Sequence, residues 1–169
     1  MSIVCCKVTD SKIEIAADSI TVRGYTQSKG NEVKFSKLVK VNDIILGGVG
    51  WTEENFLMQM FCQTHNISST NKTDVLNFLN EFSDWKKKKA ENHKIENDYM
   101  ILFKGKAFFI SNFLIQEIKN YEAIGAGMDF ALSALYLGHD AEKAVETACE
   151  LSVYCEKPII KYEIKKSID

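Results

Sequence analysis

Residues Ser2 to Lys34, SIVCCKVTDSKIEIAADSITVRGYTQSKGNEVK, decide the fold. Ile13 and Ile15 alternate with polar neighbours, and the small pair Ala16-Ala17 leads into Asp18, so the stretch reads as strands around a turn at Thr9-Asp10-Ser11. Cys5 and Cys6 are adjacent on the first strand and face opposite ways, as small buried apolar residues do. Either is a nucleophile only if the chain is cut just before it. Ser2 lies 16 residues before Asp18, and Lys34 lies 16 after it. A hydroxyl near a chain terminus, a carboxylate at a strand end and a lysine on a neighbouring strand can form one site. The hydroxyl is a weak nucleophile without a base beside it, and an N-terminal amine is such a base. Taken alone, these residue types favour the plainer arrangement, a surface Ser2 and an Asp18–Lys34 pair bridging two strands.

Working outward, Phe35–Val41 and Ile44–Val49 read as two further strands joined at Asn42-Asp43, and the second ends in Gly47-Gly48-Val49-Gly50. Thr52 is placed to cap a helix with Phe56, Leu57, Met60 and Phe61 on its apolar stripe. Thr73 is placed to cap a second, with Leu76, Leu79 and Phe82 inward and the basic run Lys86–Lys89 as a solvated face. Strands return at Tyr99–Phe103, Ala107–Ile110 and Phe113–Ile118. Gly125-Ala126-Gly127 then opens a helix with Ala131, Leu132 and Leu135 inward. Asp140 caps a last helix carrying Ala144, Val145, Ala148 and Leu151, and Ile159–Ile164 alternates as a closing strand. Strands, two helices, strands, two helices and a strand make an α+β order.

At 169 residues the chain reads as one domain, 1–169, long enough to bury a sizeable core, and its composition, 46% hydrophobic and 26% charged, is ordinary for a globular protein. A net charge of −2 gives no reason to expect nucleic acid or an anionic membrane as partner. No apolar run approaches a membrane span, and the N-terminus has no basic region leading into an apolar stretch, so the protein is expected in the cytoplasm. Five cysteines without a CxxC pair argue against a disulfide framework or a zinc site.

SIVCCKV, IEIAADSITVRG and KGNEVKFSKL resemble the opening of HslV, the bacterial proteasome-like peptidase, and so of the proteasome β-type N-terminal nucleophile hydrolases. GGVGWTEENF at 47–56, FSDWKKKK at 82–89 and AIGAGMDFALSAL at 123–135 resemble later blocks of that family in the same order. The resemblance implies a four-layer αββα sandwich. It also implies that Ser2, exposed by removal of Met1, is the nucleophile where the family usually has threonine. Asp18 and Lys34 fall on the family's catalytic aspartate and lysine, and the Gly47 amide on its oxyanion donor. Ala126 stands where the family has a serine.

The same resemblance implies a homo-oligomeric ring, stacked in pairs, that hydrolyses polypeptide. The chain has no ATP-binding glycine loop of its own, so an ATP-dependent unfoldase would be a separate chain. No cofactor is required for the chemistry. Cys149, Ser152 and Cys155 fall where the family binds a structural cation through backbone carbonyls. The alternative is a ring or scaffold subunit that keeps the fold without the chemistry.

Overall fold

The computed structural model describes residues 2–28 and 35–166, so Lys34 lies outside the described residues. In chain order these form β1 (Val4–Val8), β2 (Lys12–Ala17), β3 (Thr21–Arg23), β4 (Thr26–Ser28), β5 (Leu38–Val41), β6 (Ile44–Val49), α1 (Thr52–Cys62), α2 (Lys72–Lys87), β7 (Asp98–Phe103), β8 (Lys106–Ser111), β9 (Leu114–Glu117), β10 (Tyr121–Ile124), α3 (Met128–Tyr136), α4 (Ala141–Leu151) and β11 (Ile160–Lys165). The architecture is α+β. One antiparallel sheet runs β10-β1-β2-β11 and another runs β5 to β9 in sequence order, with β3-β4 a small separate ribbon. The first hairpin closes at the Thr9–Ser11 turn with Val4 opposite Ala17, and Val4 also faces Ile124 of β10. Among the described residues no helix is long and apolar enough to cross a membrane.

Strand alternation sorts the core into three clusters. Cys6, Val4 and Ile15 from the first sheet meet Leu38, Ile45, Met100 and Leu102 from the second. Cys5, Ile3 and Ala16 face the other way, against Ala131, Ala144, Val145 and Ala148 of α3 and α4. The alanines let these two helices approach each other and the sheet closely. Phe61, Phe78 and Phe82 of α1 and α2 pack with Tyr99 and Phe108 on the far face of the second sheet. Full burial of side chains this large is worth about 1.5–3 kcal/mol each.

Two helices differ from their sequence pattern. The cap of α1 is Trp51 rather than Thr52, and its buried residues are Glu54, Asn55, Met58, Phe61 and Cys62; Phe56 and Met60 are exposed. The helix turns a polar edge inward because Glu54 and Asn55 find buried partners in Lys86 and Asn97. The cap of α2 is Asn71, whose side chain accepts from the Asp74 N–H at 2.7 Å, and Leu76 is exposed. Lys86 is not part of a solvated face: it is buried, 2.5 Å from Glu54. Asp140 caps α4 as expected, accepting from the Lys143 N–H at 2.8 Å, whereas Leu151 at the other end points to solvent. The sequence pattern did not mark β3, β4 or β10, and it began β5 too early, at Phe35 instead of Leu38.

Candidate active site

Asp18 follows the last residue of β2 and is fully buried. A buried carboxylate costs several kcal/mol unless donors surround it, and here four do. Oδ1 accepts the Ile3 N–H at 2.9 Å and the Lys37 ammonium at 2.6 Å. Oδ2 accepts the N–H groups of Ile20 and Glu156, each at 3.2 Å. The Asp18 N–H in turn donates to the Ile3 carbonyl at 3.2 Å. The carboxylate therefore fixes the chain immediately after Ser2, the turn into β3 and the segment beyond α4. Ser19 reinforces that last link, donating its hydroxyl to the Pro158 carbonyl at 2.5 Å and its N–H to the Glu156 carbonyl at 3.0 Å.

Lys37 stands just before β5 and is 8% exposed. Burial pulls its pKa below the ordinary 10.5, against the opposing attraction of Asp18. Ser2 is buried too, and its carbonyl accepts the Gly127 N–H at 3.2 Å. Gly125, at φ +103°, passes so close that a Cβ there would overlap the Ser2 carbonyl oxygen. This is the structural reason for glycine at that step of Gly125-Ala126-Gly127. Ser2 and Lys37 line one cleft of about 360 Å³, together with Ile20, Val22, Gly50 and Trp51.

Asp18 holds Ile3, the residue next to Ser2, through Oδ1. The lysine bonded to Asp18 among the described residues is Lys37, which the sequence reading missed. Lys34 and Lys37 have the same side chain and both precede one strand, so residue type does not separate them. Gly47 sits inside β6, paired with Leu38 and Met100. The Gly48 N–H donates to the Lys37 carbonyl at 3.0 Å; backbone groups alternate along a strand, so the Gly47 N–H points the other way, toward β7. Gly47 is not among the residues lining the cleft, whereas Gly50 is.

Ser152 ends α4, and its carbonyl accepts the Cys155 N–H at 3.2 Å. Burial pushes Cys149 up to about 12 and Cys155 to about 11, so both are neutral thiols at physiological pH. Among the described residues no group of three His, Cys, Asp or Glu side chains stands at metal-binding spacing.

Cys5 and Cys6 are fully buried, and burial raises both thiols above their ordinary value. Only the thiolate is reactive, so neither suits the nucleophile's role. Alkylation with iodoacetamide at pH 7.5, mapped by peptide mass, is expected to modify Cys5, Cys6 and Cys62 only after denaturation, with half-buried Cys149 the first to react natively. Rapid native labelling of Cys5 or Cys6 would reopen a cysteine mechanism.

Two antiparallel sheets with helices packed against them make a fold that this chain shares with proteasome-like proteins of known structure. Solved structures carry the same arrangement. The structure of Thiobacillus denitrificans BPH in complex with epoxomicin superposes with a TM-score of 0.87 at 19% identity, covering 98% of this chain and 99% of that one. Eukaryotic HslV from Trypanosoma brucei gives 0.70 at 15% identity over 97% and 99%. Anbu (ancestral beta-subunit) from Yersinia bercovieri gives 0.71 at 12% identity over 95% and 80%. No protein-family model matches the chain, and no curated protein matches it in sequence.

Proposed function

We propose that this protein is the peptidase subunit of a self-compartmentalised, proteasome-like protease, with Ser2 as its N-terminal nucleophile once Met1 is removed. Ser2 and Lys37 on one cleft, with the buried Asp18 carboxylate bonded to Lys37 behind it, carry the reading. The α-amine of Ser2, with an ordinary pKa near 7.7–8.0, takes the hydroxyl proton as Oγ attacks the peptide carbonyl. The proton passes to the departing amine, an ester to Ser2 remains, and water hydrolyses it with the amine again as base. A lysine ammonium nearby lowers the amine's pKa toward neutrality and steadies the oxyanion. Asp18 holds that lysine and, through the Ile3 N–H, the chain beside the nucleophile.

In this reading the layers stack in the order αββα, and the subunits close into a homo-oligomeric ring in the cytoplasm, stacked in pairs and fed by a separate ATP-dependent unfoldase. The Anbu neighbour is itself named as a beta-subunit. The chemistry needs no cofactor; a structural cation at the end of α4 would be held by backbone carbonyls, since the thiols there are neutral.

The test joins three measurements on one preparation: intact mass for Met1 removal, light scattering for assembly, and cleavage of a short fluorogenic peptide. Processed, ring-sized and active protein is the expected result. A monomer at micromolar concentration would remove the chamber. Retained Met1 with an assembled but inactive ring would favour the scaffold alternative.

A further inference from the structure

A buried polar network runs from α2 to the wall of the cleft. Glu54, 2% exposed, accepts from the Lys86 ammonium at 2.5 Å, the Tyr99 hydroxyl at 3.1 Å, and the N–H groups of Glu96 at 3.1 Å and Asn97 at 3.0 Å. Lys86 donates a second bond, to the Lys94 carbonyl at 2.6 Å. Helices α1 and α2 therefore grip the backbone just ahead of β7, and with it Asn97, itself 1% exposed.

The Asn97 side chain then clamps one residue at both ends. Its Oδ1 accepts the Trp51 N–H at 2.6 Å, and its Nδ2 donates to the Trp51 carbonyl at 2.8 Å. Nδ2 also donates to Asn55 Oδ1 at 3.0 Å, and Asn55 donates to the Gly48 carbonyl at 3.2 Å. Gly50, at φ +127°, has no room for a Cβ, which would overlap the Asn97 amide oxygen. Trp51 is 69% exposed and lines the same cleft as Ser2 and Lys37. An exposed aromatic ring on a backbone tied by a buried amide is unusual for solvent-facing decoration. A loose Trp51 would satisfy burial equally well.

We propose that Asn97 is a positioning residue that sets the Gly50–Trp51 wall of the cleft for polypeptide binding, with the Glu54–Lys86 pair holding Asn97 in place. The substrate's identity as polypeptide rests on the function proposed above; the clamp does not. Asn97 touches neither Ser2 nor Lys37 in the bonds described, so it acts through Trp51 on how substrate lies rather than on the bond-breaking groups.

Asn97→Ala in the full-length protein tests this by two readouts. Hydrogen exchange across peptides covering residues 49–55 is expected to accelerate on the order of tenfold, because the Trp51 amide loses its acceptor, while β8 and α4 exchange as before. For peptide hydrolysis, KM is expected to rise roughly fivefold or more with kcat nearly unchanged. Gly50→Ala, whose Cβ would overlap the Asn97 side-chain amide and displace it from Trp51, should reproduce both effects and serves if Asn97→Ala does not fold. Unchanged exchange at 49–55 would overturn the clamp, and acceleration spread over the whole chain would reduce Asn97 to a stability residue. Local acceleration with unaltered KM would overturn its role in substrate positioning. If the parent protein, with Met1 shown to be removed, turns over no peptide, the peptidase reading and the positioning role fail together, while the exchange data still decide the clamp.

Discussion

Asp18→Ala is expected to destabilise the folded protein by about 3–5 kcal/mol, because it strands the buried Lys37 ammonium without its carboxylate. It also leaves the N–H groups of Ile3, Ile20 and Glu156 without the acceptor they share. For a domain of this size that corresponds to a melting-point loss of roughly 6–20 °C. Lys37→Met should cost less, about 1–3 kcal/mol, since Asp18 keeps its three backbone donors and the new side chain fills similar space. The double variant should be no worse than Asp18→Ala alone and better than the sum, because removing the ammonium also removes the charge left unpaired.

The sign of the pH dependence follows from Lys37. Its folded pKa lies below 10.5, so just beneath 10.5 the folded state binds fewer protons than the unfolded chain, and stability rises with pH there. The stability of the parent relative to Lys37→Met should therefore increase as pH is raised from neutrality toward 10.5, and the penalty of burying the charged lysine should be largest at the neutral end. Urea unfolding of the three variants at several pH values reads both effects. Additive losses in the double variant, or a flat difference with pH, would show that Asp18 and Lys37 do not act as a buried pair.

Much of the fold was legible because it is written in local periodicity. The alternation through Cys5 and Cys6 puts one side chain in each of two core clusters, and Asp140 caps its helix from within the sequence signal. What was not legible depends on partners far along the chain. An inward Glu54 looks like a surface residue until Lys86, Asn97 and Tyr99 arrive from α2 and β7. The glycines at 47, 48 and 50 leave room for neighbouring side chains, from Val4, Asn55 and Asn97 respectively, and none of these partners can be read from the local sequence. The site was half legible for a similar reason. Asp18 was marked by its place at a strand end, whereas the bond from Lys37 to its carboxylate exists only in three dimensions; Lys34, which the resemblance selects, lies outside the described residues.

Ser2→Ala is expected to abolish peptide hydrolysis, by at least ~10³-fold, while leaving fold and assembly intact, because it removes one hydroxyl and none of the bonds that hold its backbone. Retaining Met1 should match it, since the base would then be an amide nitrogen whose lone pair is delocalised into the carbonyl and is not basic. Lys37→Met should lower kcat on the order of 10²-fold through the lost charge. Added to Ser2→Ala it should cost almost nothing further, as groups acting in one unit are not additive. Lys34→Met, compared with Lys37→Met under the same conditions, decides between the lysine that the resemblance selects and the lysine that bonds Asp18 among the described residues. A loss in kcat confined to Lys37→Met assigns the role to Lys37; a loss confined to Lys34→Met takes it away. The measurement is fluorogenic peptide cleavage by protein whose intact mass shows Met1 removed, with light scattering confirming equal assembly across the variants. Full activity in Ser2→Ala would end the assignment of Ser2 as nucleophile and require another group in the cleft, for which the buried, neutral thiols of Cys5 and Cys6 offer no ready substitute.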